Sequence, residues 1–238
     1  MDKEIILNQL RKDLESQIDL KIQESGKGFF KEKIKLYGIK TGVVVKISKE
    51  HFKTVKKQPK AFIFSLCDDL WASDYLEESI IACNWSYSLK KDFKPEDFKV
   101  FERWVNEDVN NWASCDTLCN HTVGTFLEMY PEFLSELKTW ARSENRWTKR
   151  AAAVSLIIPG RNGKFLSDII EIADILLQDP DDLVQKGYGW MLKACSQAHE
   201  QKIFDYVMSK KAVMPRTALR YAIEKMPAEL KAKAMSKS

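Results

Sequence analysis

The stretch RWTKRAAAVSL, residues 146–156, has four counterparts in the same chain: SDYLEESIIAC (73–83), WASCDTLCNHT (112–122), LVQKGYGWMLK (183–193) and RTALRYAIEKM (216–226). In each, a polar anchor is followed by small or apolar residues that open a buried stripe. The anchors are Glu78, Asp116, Arg150, Lys186 and Arg220, spaced by 38, 34, 36 and 34 residues. A second apolar segment with helical spacing precedes each anchor, as in PEDFKVFERWVNE, PEFLSELKTWARS and LSDIIEIADILLQ. A two-helix unit recurring at this period is the mark of an α-solenoid of HEAT-like type, because one such unit cannot bury its apolar face alone. The tetratricopeptide repeat has a similar period, but its Trp/Gly/Tyr pattern is missing.

The rest of the chain agrees. Ile5, Ile6, Leu10, Leu14, Ile18 and Ile22 follow three-to-four spacing, as do Ile169, Ile172, Ala173, Leu176 and Leu177. The strand-like run Val43-Val44-Val45-Lys46-Ile47 follows Thr41, a plausible N-cap, and reads as a helix. Gly26-Lys27-Gly28 and Pro159-Gly160-Arg161-Asn162-Gly163 read as loop and turn. Nine Gly and seven Pro in 238 residues are too few for a β-sandwich or barrel. The expected fold is all-α: antiparallel helix pairs stacked into a single curved domain over residues 1–238, with no Gly/Ser linker.

Composition narrows the function classes. The chain is 45% hydrophobic and 30% charged, a folded balance. No run approaches eighteen apolar residues, and the N-terminus lacks the apolar core of a signal peptide. Five Cys without a CxxC pair argue for reduced thiols and against a disulfide framework or a zinc site. The expectation is a cytoplasmic monomer with no membrane partner. The net charge of +4 is strongly segregated. Residues 27–60 sum to +9, 61–137 to −10, 138–164 to +6, 165–184 to −6 and 185–238 to +7. Basic blocks brought onto one surface would form an electrostatic footprint for a polyanion; separately, they are solvated faces.

Three constellations carry chemistry. Trp112 and Asp116 are four apart and share one helix face. Cys115 and Cys119 point to a neighbouring face and read as core filler. Lys149 and Arg150 adjoin Ala151-Ala152-Ala153. A guanidinium there suits either a phosphate or a salt bridge to an acid such as Asp116 or Asp182. Lys186 lies four before Trp190, and Gly187 and Gly189 between them invite close helix approach. There is no defensible Ser-His-Asp or Cys-His order and no phosphate-binding GxxxxGK[ST] loop.

With these residues in this order, the sequence resembles the DNA alkylation repair family of AlkD-like HEAT-repeat DNA glycosylases, from about residue 30 to 230. The resemblance begins at YGIKTGVVVKISKE, with Gly42 where a Pro is common. It continues through LWASDYLEE, the Trp-x-x-x-Asp of NWASCD, RWTKRAAA and VQKGYGWMLK. Ala113 stands where relatives often have Asp. It implies excision of N3- or N7-alkylated purines from duplex DNA, without a metal or organic cofactor. It further implies that Asp116 is the catalytic carboxylate and that Trp112 and Trp190 flank the lesion's backbone. Arg150 would meet the DNA backbone, with Lys149 and Lys186 beside it. The N-terminal aromatic contact falls on Phe29, Phe30 or Tyr37. The alternative is a non-catalytic HEAT-like DNA-binding module or protein-interaction scaffold.

Overall fold

The computed structural model describes residues 2–236, and among them the chain is helical with no strand longer than an isolated bridge between Lys35 and Tyr75. It forms two compact units, the first running to Leu118 and the second starting at Cys119.

The first unit holds α1 (Lys3–Glu15), α2 (Leu20–Phe29), α3 (Thr41–Val55), α4 (Lys60–Ala72), α5 (Leu76–Ser88), α6 (Phe98–Arg103) and α7 (Trp112–Thr117). Of the N-terminal stripe, Ile6, Leu10 and Leu14 are buried, whereas Ile5 is exposed. The stripe fails beyond Leu14, because Asp19 caps a new helix and leaves Ile18 exposed. Gly26-Lys27-Gly28, expected as a loop, lies inside α2. None of the residues of α2 is fully buried, and glycine is a poor helix former, so the pair reads as a loop. The Val43–Ile47 run is helical as expected, although Lys40, not Thr41, takes the cap position.

α5 organises this unit by packing on α3, α4 and α7. Trp85, 1% exposed, donates its indole N–H to the carbonyl of Ser48 at 3.0 Å, which fixes α5 against α3. Glu77 and Glu78, both buried, close the other end of α5. Glu77 accepts the backbone N–H groups of Tyr37, Gly38 and Ile39 at 2.8–3.1 Å. Glu78 takes the Arg11 guanidinium at 2.9 Å and the Tyr37 hydroxyl at 2.8 Å. Two adjacent carboxylates thus tie α1, the turn at Tyr37 and α5 together, each with its acceptors filled.

The second unit holds α8 (Gly124–Met129), α9 (Leu134–Trp140), α10 (Arg146–Val154), α11 (Ile157–Arg161), α12 (Leu166–Ile175), α13 (Asp182–Lys210), α14 (Arg216–Ile223) and α15 (Ala228–Met235). Pro159 and Gly160, expected in a turn, belong to α11. The reversal comes later, at Gly163, with φ 79°. The stripe from Ile169 to Leu177 is buried. α13 is interrupted at His199, whose backbone is non-helical and whose ring lies 3.0 Å from the carbonyl oxygen of Gly163. The glycine pair in α13 permits close approach, as its spacing suggests. A Cβ on Gly189 would stand 2.7 Å from Cβ of Tyr221 and 2.9 Å from the carbonyl oxygen of Ala218, so α14 could not pack as it does.

Candidate nucleic-acid interface

Asn111 starts α7 by accepting the N–H of Ser114 at 2.9 Å. This cap fixes the phase of a short helix whose buried side is Ser114 and Cys115. Trp112 and Asp116 lie on its other side, and both are partly exposed. A π-helical stretch, Leu118–Val123, follows at once. Cys115 and Cys119 are buried to 0% exposure, as core filler should be.

α2 supplies the other half of this site. The Phe30 ring stacks on Trp112 with centroids 5.4 Å apart and planes 24° from parallel. Phe29 meets Trp112 edge-on at 5.6 Å and is 69% exposed. Three aromatic rings thus gather at Trp112, four residues before Asp116 on α7. An exposed phenylalanine braced by a second phenylalanine and a tryptophan is costly in water and forms a ready platform for a flat or cationic ligand. Of the three N-terminal aromatics that sequence left open, Phe29 and Phe30 reach Trp112. Tyr37 is instead buried against Tyr75 and Glu78.

Eight residues before Asp116, Asp108 ends the π-helical stretch Trp104–Asp108. Burial pushes its carboxyl up to about 6, against a smaller opposing pull from the Arg103 guanidinium. The folded chain therefore holds this proton more tightly than the unfolded chain does. The group costs stability progressively as pH rises from 3.8 to about 6, and fully above that. An Asp108→Asn variant is expected to be the more stable protein at pH 7, by about 1 kcal/mol once partial exposure is allowed for. Melting curves from pH 4 to 8 check this. The advantage should vanish near pH 4, and one that persists there unchanged contradicts the assignment.

In the second unit, the basic residues are largely engaged. Arg150 is 5% exposed and donates from its guanidinium to the carbonyl of Leu183, at the start of α13. Its stem packs on Gly187, where a Cβ would lie 3.3 Å from Cγ of Arg150. Lys149 pairs with Asp179, Arg146 with Asp181 at 2.8 Å and Lys186 with Asp182 at 3.0 Å. Lys138 pairs with Asp168 and Glu171. The +6 block therefore faces the −6 block rather than standing as an open basic surface. The five anchors differ in burial: Glu78 and Arg150 are buried, Asp116 and Lys186 partly exposed, and Arg220 exposed. Trp190, one turn after Lys186 on α13, is partly exposed. No helix among the described residues is long and apolar enough to cross a membrane.

Comparison with known proteins agrees with this architecture. The family model described as "DNA alkylation repair enzyme" matches residues 10–226. A predicted DNA alkylation repair enzyme from Enterococcus faecalis is similar in structure, with a TM-score of 0.79 at 17% identity. The match covers 89% of this chain and 98% of that one. The Pseudomonas fluorescens alkylpurine DNA glycosylase AlkC, solved bound to DNA containing an abasic site analog, gives a TM-score of 0.57 at 16% identity. That match covers 98% of this chain and 68% of the other. No curated protein matches the chain by sequence.

Proposed function

The chain belongs to the DNA alkylation repair enzyme family, and from that premise we propose that it is a glycosylase acting as a monomer on duplex DNA in the cytoplasm. Its substrates in this reading are N3- and N7-alkylated purines. The observation that carries the reading is the partly exposed carboxylate of Asp116, one turn from a Trp112 that is braced by Phe29 and Phe30. The DNA-bound state of the AlkC glycosylase supports DNA as the partner.

The chemistry suits these residue types. A purine alkylated at N3 or N7 is already cationic, so it departs with the electrons of the C1′–N bond and becomes neutral without a general acid. The sugar left behind has oxocarbenium character. An ionised Asp116 stabilises that charge and takes a proton from the water that attacks C1′. The Trp112 face attracts the same cation, by about 0.5–2 kcal/mol. No metal or organic cofactor enters this scheme. Lys149, Lys186 and Trp190 are assigned to DNA contact from the second unit. Arg150 supports them by holding the first turn of α13 through Leu183, with backbone contact as its further assignment.

The reading is tested on a duplex carrying one 7-methylguanine. Incubation with the protein, then hot alkali, should cut the damaged strand at that position. An uncut strand in a reaction where the duplex is bound would overturn the enzyme and leave a DNA-binding module.

A further inference from the structure

We propose that the groove between α3 and α5 is a binding site for single-stranded nucleic acid, separate from the Asp116 site. Its cavity measures about 440 Å³ and is lined by Val45, Lys49, Phe52, Lys53, Lys56, Asn84, Trp85 and Tyr87, among others.

Each component has its own reason to be there. Lys49, Lys53 and Lys56 are exposed and stand on one side of α3, about 6 and then about 4.5 Å apart along its axis. Lys49 and Lys56 have no ion-pair partner among the described residues, whereas Lys53 is shared with Glu50 at 2.8 Å. Lys49 and Lys56 thus differ from Lys138, Arg146 and Lys149 of the second unit, each of which is paired with an acid. Lys90 adds a fourth cation at the edge, 4.1 Å over the Tyr87 ring.

The floor is aromatic. Phe52 and Tyr87 are partly exposed, and Phe52 rests on the buried Trp85 with centroids 6.1 Å apart. Asn84 also lines the groove.

A row of cations beside stacking faces matches a strand whose phosphates and base faces are both accessible. A duplex offers its phosphates but keeps its base faces stacked. An acidic peptide would use the lysines but has no specific need for the flat faces. The single strand is therefore the occupant that uses every part of the groove. None of these residues belongs to the Asp116 site, so the inference does not depend on catalysis.

The test is fluorescence anisotropy of a labelled, undamaged dT 12-mer with the full chain. Lys49→Ala/Lys53→Ala/Lys56→Ala should weaken binding at least ~10-fold and reduce the slope against log salt by about 2. Phe52→Ala should weaken it without changing that slope. Equal affinity of the triple variant and the parent overturns the proposal. So does displacement of the 12-mer by a Glu-rich peptide at lower concentration than by unlabelled dT, which would assign the groove to an acidic protein. Because the assay reads undamaged strands, its result is independent of whether alkylated bases are excised.

Discussion

An Asp116→Asn variant is expected to release 7-methylguanine from duplex DNA at least ~100-fold more slowly than the parent chain, while binding the duplex with affinity unchanged within about threefold. The size follows from the role. The amide keeps the shape of the carboxylate but removes the charge that opposes the developing sugar cation. Loss of one such electrostatic contact costs about 2.7–4 kcal/mol of transition-state stabilisation. Asparagine also cannot take the proton from the attacking water. The side chain is partly exposed on a short capped helix whose buried contacts come from Ser114 and Cys115, so the substitution leaves the packing of α7 in place. Single-turnover rates, with circular dichroism as the folding control, check this. A rate within threefold of the parent would remove Asp116 from the reaction. A Trp112→Ala variant should fall between the two, since the cation–π contribution is smaller than that of a full charge.

The largest effect on stability is expected at Glu78. Its side chain is 1% exposed and bridges Arg11 on α1 and the Tyr37 hydroxyl. Truncation in Glu78→Ala leaves the hydroxyl of a buried tyrosine and a partly buried guanidinium without their acceptor. Removing one member of a buried ion pair costs about 3–5 kcal/mol. Arg11 is one-third exposed and can turn partly to water, which places the expected loss near the lower end. The melting temperature should fall by about 6–12 °C. Urea unfolding of Glu78→Ala, Arg11→Met and the double variant separates the pair from the tyrosine. A coupling energy near zero would show that the buried carboxylate serves only Tyr37. A total loss below about 1 kcal/mol would contradict the view that α1 and α5 are joined through this residue.

Much of this was legible in the chain itself. Buried stripes such as Ile169–Leu177 recur at helical spacing, and helix pairs repeat at a nearly constant period, so class and repeat followed from periodicity. The exceptions have physical reasons. None of the residues of α2 is fully buried, and its two glycines, poor helix formers, read as a loop. Charge blocks give the sign of a segment but not its partner. The basic stretch around Arg146–Arg150 could have met a phosphate or an acid of the chain, and Asp179 and Asp181, on either side of Pro180, pair with Lys149 and Arg146. Arg150 illustrates the same limit within one residue. A guanidinium beside an alanine run can serve a phosphate or the protein, and the carbonyl of Leu183 is not visible as an acceptor in any sequence pattern. The aromatic half of the site was the least legible. Phe29 and Phe30 lie about eighty residues from Trp112, and no spacing rule links them.

The central claim is that a carboxylate beside a braced tryptophan hydrolyses the bond between an alkylated purine and its sugar. It is tested most directly by counting both products with protein in excess over a duplex bearing one 7-methylguanine. Free base and abasic sites should appear together, one of each per lesion, for the parent chain, and neither should accumulate with Asp116→Asn in the same interval. Base loss at equal rate in the two proteins, or none in either, would contradict it.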